Sequence, residues 1–102
     1  MTTPSVAELG RRAKAASRQL ARASTATKDD GLRAAADLLV ARSAEVLTAN
    51  ATDVARAESE GVTSTVVDRL RLTEARIEAM AGGLRQVAGL ADPVGEVLDG
   101  WV

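Results

Sequence analysis

A chain of 102 residues, 46% apolar and free of cysteine and histidine, is at most one domain; it excludes disulfides, thiolate or imidazole metal sites, cysteine nucleophiles and histidine bases. Its formal net charge of −1 hides a division, because residues 1–28 hold six Lys/Arg against one acid and residues 29–102 hold seven against thirteen. A basic first segment can signal nucleic acid, but with no Phe or Tyr to stack on bases and an acidic overall balance, no nucleic-acid partner is expected.

The apolar material is lopsided: 21 alanines, 11 leucines and 11 valines, with Ile77, two methionines and the single Trp101. Alanine buries little surface, so the core is expected to be thin, and the chain to be marginal alone and to prefer a partner surface. No stretch approaches the roughly eighteen consecutive apolar residues of a transmembrane helix, and no apolar signal-peptide core is present. Arg11, Arg12, Lys14, Arg18 and Arg22 among Ser and Ala imitate an organellar transit peptide. A capping signal and a regular apolar stripe favour a first helix with a solvated basic face, so the expected compartment is cytoplasmic.

Ser5-Val6-Ala7-Glu8 fits a capping box, with Ser5 accepting from the Glu8 N–H and the Glu8 carboxylate reaching back to Ser5. Val6, Leu9, Ala13, Ala16 and Leu20 then form one helical stripe, fading near Ala23. The stripe is thin and half alanine, which suits packing on protein better than lying on a membrane. A second helix is expected to open near Thr27 as N-cap, with Asp29 and Asp30 in its first turn. Leu32, Ala35, Ala36, Leu39, Val46 and Leu47 line its face and Leu38 and Val40 widen it, so this helix should be the most buried. Asp29 and Arg33 stand four apart in the favourable order.

Ala49-Asn50-Ala51-Thr52-Asp53 interrupts the pattern, and Asn50 is expected to cap a third, shorter helix with Asp53 at its third position. These two oxygen side chains without further carboxylates do not make a Ca²⁺ or Mg²⁺ site. Gly61 should close that helix in the left-handed conformation. The β-branched run Val62–Leu70 suits a strand or one short helix capped by Thr63 or Ser64 that buries Val66, Val67 and Leu70; the short helix is the expectation. Asp68 and Arg69 suggest an ion pair or a cap contact rather than catalysis.

Thr73 caps a last helix with Glu74 in its first turn and Ile77, Met80, Ala81, Leu84, Val87 and Ala88 as its stripe; Gly89 stops it. Gly82-Gly83 inside this helix costs about 1 kcal/mol per residue relative to alanine, which suggests the close approach of another backbone, or a bend. No strand precedes the pair, so it is not a phosphate loop. Asp92-Pro93 begins a turn, and Val94, Val97, Leu98, Trp101 and Val102 have an extended tendency. A strand ending on Trp-Val would leave its backbone groups exposed, as in a chain cut within an element. The expected architecture is all-α: four or five amphipathic helices over residues 1–90, then a turn and the start of an extended segment, truncated, over residues 91–102.

An ordered series of short motifs carries a family resemblance. It comprises Leu9-Gly10, Ala13-Lys14-Ala15-Ala16, Glu45-Val46-Leu47 with Ala49-Asn50 and Asp53, Gly61-Val62, Val66-Val67-Asp68-Arg69-Leu70, Leu72-Thr73, Arg76-Ile77, Met80-Ala81 and Gly83-Leu84-Arg85-Gln86-Val87. It closes on Asp92-Pro93-Val94-Gly95-Glu96-Val97 and Asp99-Gly100-Trp101-Val102. The series resembles the amino-terminal helical region of gamma-glutamyl phosphate reductase (glutamate-5-semialdehyde dehydrogenase), a branch of the aldehyde dehydrogenase superfamily with a larger α/β fold.

The resemblance implies an NADP-dependent enzyme of proline biosynthesis that reduces L-glutamyl 5-phosphate to glutamate 5-semialdehyde and releases phosphate. A cysteine thiolate forms a thioester and hydride from NADPH reduces it, which suits covalent catalysis. It further implies a homo-oligomer for the full-length family, and the rest of the reductase chain or an intact subunit as the partner of this segment. The family's cysteine, cofactor sheet and oxyanion-stabilising asparagine all fall beyond the equivalent of Val102. The resemblance therefore transfers no catalytic, cofactor-binding or metal residue, and this chain alone is expected to bind no NADP(H) and to be inactive. The alternative is a stand-alone helical interaction module or a gene remnant.

Overall fold

The computed structural model describes residues 2–100 and contains, among them, five helices and no strand: α1 Val6–Arg22, α2 Thr25–Ala41, α3 Ser43–Ser59, α4 Ser64–Leu70 and α5 Glu74–Ala88. The all-α expectation holds. Side-chain caps set the starts of α1, α2 and α5, while α3 and α4 begin without one.

Helix α1 starts where expected. Ser5 sits in extended backbone and its Oγ accepts from the Glu8 N–H at 3.1 Å, satisfying one of the orphan donors of the first turn. The reciprocal half of the box is absent. The Glu8 carboxylate instead takes Arg11 at 2.7 Å and Arg12 at 3.2 Å on the following turn. A guanidinium within reach is the stronger partner for a carboxylate than a backbone N–H.

Helix α2 opens three residues before the expected site. Ser24, not Thr27, is the cap: its Oγ accepts from the Thr27 N–H at 3.1 Å. Asp29 and Asp30 therefore fall beyond the first turn, and no Asp29–Arg33 ion pair forms among the described residues. The break after α2 is at Arg42, the single residue joining two 17-residue helices, with φ −104° and ψ 20°. The expected interruption at Asn50 is absent. Residues 43–59 run as one helix, so Val46 and Leu47 belong to α3.

Asn50 is an interior residue of α3 and the one polar side chain buried among the described residues. Its Nδ2 donates to the Leu70 carbonyl at 2.9 Å, and its Oδ1 accepts from the Leu72 N–H at 2.8 Å. Both ends of the amide are thus spent on the connection between α4 and α5, which a side chain in a helix interior can reach only through tertiary packing. Gly61 ends α3 with φ 79°. The Gly61 N–H donates to the Glu58 carbonyl and the Val62 N–H to the Ala57 carbonyl, at 3.2 and 3.1 Å, which is the paired closure of a Schellman motif.

The short helix expected over residues 62–70 forms as α4, with Thr63 at the cap position but without a side-chain cap bond. Only Val67 of its three apolar candidates is buried; Val66 is 51% and Leu70 38% exposed. Thr73 caps α5 by accepting from the Arg76 N–H at 3.1 Å, and Gly89 terminates it. A Cβ built on Gly82 or Gly83 meets nothing within 4 Å. Among the described residues no other backbone approaches the pair, and the helix is continuous through it.

The main seam lies between α2 and α5, and α3 carries α4 and touches both α2 and α5. Ala36, Ala81, Ala88 and Ile77 are buried in α2 and α5, with Val54 and Val67 buried in α3 and α4. The most buried helix is therefore α5, with three buried residues, and not α2, which contributes Ala36 alone while Leu38 stands 57% exposed. An Arg85–Asp37 ion pair at 3.0 Å ties α5 to α2 at the rim. Helix α1 buries no residue. The molecule extends 64 × 32 × 27 Å with a radius of gyration of 18.3 Å, against about 13 Å for a compact chain of this length.

Candidate docking surface

The residues that invited a catalytic or metal reading are spent on structure. Asp53 pairs with Arg56 one turn on, at 2.8 Å. Asp68 faces Arg76, not its neighbour Arg69, at 3.5 Å, and the Arg76 guanidinium also donates to the Asp68 and Arg71 carbonyls. Arg76 thus clamps the end of α4 to the start of α5. Among the described residues no three His, Cys, Asp or Glu side chains gather where they could hold a metal ion, and no buried side-chain polar atom lacks a partner.

One cluster was not legible locally. The Asp92 carboxylate receives Lys28 Nζ at 2.6 Å and Thr25 Oγ1 at 2.9 Å from the first turns of α2, while its other oxygen accepts from the Val94 N–H at 3.0 Å. The Lys28 and Asp92 side chains are mostly covered, at 19% and 16% exposure. The hydrogen bond from Lys28 above all, then those from Val94 and Thr25, holds the Asp92 carboxyl below the usual carboxylate range. The Glu96 N–H donates to the Pro93 carbonyl at 3.2 Å, and Gly95 has φ 86°. The turn expected at Asp92-Pro93 is therefore present and anchored across 67 residues of sequence. No sequence signal near Asp92 names Lys28 or Thr25 as its partners. Residues 91–100 form no helix or strand, and the extended reading of Trp101 and Val102 lies outside the described residues.

What the chain offers outward is apolar surface. The α1 stripe is open, with Val6 85%, Leu9 52% and Leu20 56% exposed. A trough of about 350 Å³ is lined by Leu32, Val87, Leu90 and Pro93 together with the charged Lys28, Asp29 and Asp92. A second, almost wholly apolar cleft lies across Leu32 from it, between Leu20 at the end of α1 and Gly31. Among the described residues no helix is long and apolar enough to cross a membrane. Among the described residues the features are those of a helical segment with open apolar faces, of the kind that marks interaction surfaces.

The chain is 51% identical over 100 residues to the gamma-glutamyl phosphate reductase of Mesorhizobium japonicum, an alignment that covers 98% of this chain and 23% of that protein. The reductases of the same name from Syntrophomonas wolfei and Chloroflexus aurantiacus are 52% and 55% identical over 94 and 91 residues, each alignment covering 22% of the relative. No family model matches the chain. The chain is thus homologous to a segment of gamma-glutamyl phosphate reductase and spans less than a quarter of the length of these relatives, and the resemblance read from its motifs is to the same family.

Proposed function

We propose that this chain is the amino-terminal helical segment of an NADPH-dependent reductase that converts L-glutamyl 5-phosphate to L-glutamate 5-semialdehyde in proline biosynthesis. The observation that carries this reading is identity above one half along nearly the whole chain to reductases more than four times as long. The segment's role is structural. Its exposed leucines and valines are covered by the remainder of the reductase, within the α/β fold of the aldehyde dehydrogenase superfamily, in a cytoplasmic homo-oligomer.

The residues present do not suit the cofactor: the described part has no strand to carry a dinucleotide-binding turn. The chain also lacks the cysteine that the family's thioester chemistry requires. Cofactor binding and catalysis are therefore assigned to the missing remainder, and the isolated chain is inactive.

Two measurements test this. The purified chain, given glutamyl phosphate and NADPH, should oxidise no NADPH. Mixed with the separately produced remainder of the Mesorhizobium japonicum reductase, it should restore NADPH oxidation that the remainder alone lacks. Turnover by the isolated chain, or a remainder that is fully active and ignores the segment, refutes the proposal and leaves the stand-alone interaction module as the better reading.

A further inference from the structure

We propose that Asp92 is a positioning residue, the latch of a strap: its tie to Thr25 and Lys28 holds the segment after α5 against the start of α2 and fixes the line on which residues 93–100 leave the helical body. From Gly89 to Gly100 every residue is exposed except Asp92. Val94, Val97 and Leu98 stand 56%, 79% and 92% open, so burial within this chain does not hold the segment. Residues 91–100 form no helix or strand, and their backbone bond, from the Glu96 N–H to the Pro93 carbonyl, stays within the stretch. Among the described residues the Asp92 carboxylate makes the only polar contacts that cross from this stretch to the helices.

The geometry gives the latch a direction. One carboxylate oxygen takes Lys28 Nζ at 2.6 Å and Thr25 Oγ1 at 2.9 Å, while the other takes the Val94 N–H at 3.0 Å. One edge of a planar group thus grips the helix, and its other edge orients the peptide that follows. Thr25 and Lys28 are three apart on α2 and share a face. They stand at its amino-terminal end, where the helix dipole adds to the attraction for a carboxylate. Lys28 and Asp92 are mostly shielded from water, at 19% and 16% exposure, so salt screens this pair less than the exposed pairs elsewhere in the chain. Gly95, at φ 86°, lies within the turn that the Glu96–Pro93 bond closes. Resting on the function proposed above, a segment so held is aimed before it meets the rest of the reductase, which lowers the ordering cost of docking.

The chain has no cysteine, so pairs of spin labels on the full chain read the strap directly by pulsed electron paramagnetic resonance. Ala34→Cys with Val97→Cys measures the segment against α2, and Ala34→Cys with Gln86→Cys measures α2 against α5; all three positions are exposed. With Asp92 and Lys28 intact, the first pair should give one narrow distance. Asp92→Ala and Lys28→Met should each spread it over about 15 Å, the range of nine free residues from Gly89 to Val97. The α2–α5 distance and the helical circular dichroism should stay unchanged. Lys28→Arg, which can still pair with a carboxylate, should keep the distance narrow. In the complementation assay above, Asp92→Ala should need about tenfold more chain for half-restoration, with the same maximal rate. A first distance that is already broad, one that stays narrow without Asp92 or Lys28, an α2–α5 distance that broadens with it, or equal half-restoration by both chains would each overturn the proposal. The distances are measured on the chain alone, so they judge the latch even where the unaltered chain restores no activity and the function proposed above fails.

Discussion

Asn50→Ala tests whether a helix-interior amide holds α3 to the α4–α5 connection. The wild-type amide donates to the Leu70 carbonyl and accepts from the Leu72 N–H, at 2.9 and 2.8 Å, with Asn50 itself 8% exposed. Alanine suits a helix better than asparagine by about half a kcal/mol, so any loss must come from the tertiary bonds. Each stripped backbone group costs about 1–3 kcal/mol if it stays dry. Residues 70–72 are near the surface and water will reach part of the site, so the net expectation is about 2–3 kcal/mol. For a chain of this size that is roughly 10–20 °C in Tm. Asn50→Asp separates the two bonds: the acceptor for Leu72 survives, but a carboxylate oxygen now faces the Leu70 carbonyl oxygen. It should be at least as damaging as alanine near neutral pH and should recover in part in acid, when the carboxyl can donate again. Urea unfolding followed by far-ultraviolet circular dichroism reads both variants. A loss under about 0.5 kcal/mol for Asn50→Ala, or an Asn50→Asp variant as stable as wild type at neutral pH, would refute this account.

Other expectations follow from particular residues. Gly82→Ala and Gly83→Ala should each stabilise the isolated chain by about 0.5–1 kcal/mol in the same unfolding assay, because a Cβ there meets nothing within 4 Å. Gly61→Ala should destabilise by about 1–2 kcal/mol, since φ 79° is needed for the closure of α3. The lowered pKa of Asp92 means that its contribution is present above the ordinary carboxylate pKa and is lost as pH falls through the folded value. Hydrogen exchange of the Val94 and Glu96 amides should accordingly stay protected down to the ordinary carboxylate pKa of about 3.9 and lose protection only below it in wild type. Asp92→Asn should show less protection at neutral pH and no such acid transition.

How much was legible depends on the range of the interactions. The caps at Ser5 and Thr73, the left-handed Gly61 and the turn at Asp92-Pro93 are set within a few residues, and they stand where the local chemistry puts them. The break at Arg42 has no glycine, proline or side-chain cap to announce it. Asn50 advertises a cap and is used for a contact 20 residues away. The same holds for the apolar stripes: period alone marked α1 as amphipathic, but which stripes find cover within this chain depends on where the short joints send each helix. The Asp92–Lys28 tie, between opposite ends of the sequence, left no local trace at all.

The fully buried side chains of α2 and α5 are mostly methyl groups, those of Ala36, Ala81 and Ala88. Among the described residues Ile77 is the one large side chain fully out of solvent, and the leucines Leu32, Leu39 and Leu84 are only half-buried. Parting these two rods hydrates little hydrocarbon, so the heat-capacity increment and the denaturant slope of that step should both be small. The scaffold should accordingly soften over a broad temperature interval rather than melt sharply, and anything that clasps its outer leucines should sharpen the transition as well as raise it.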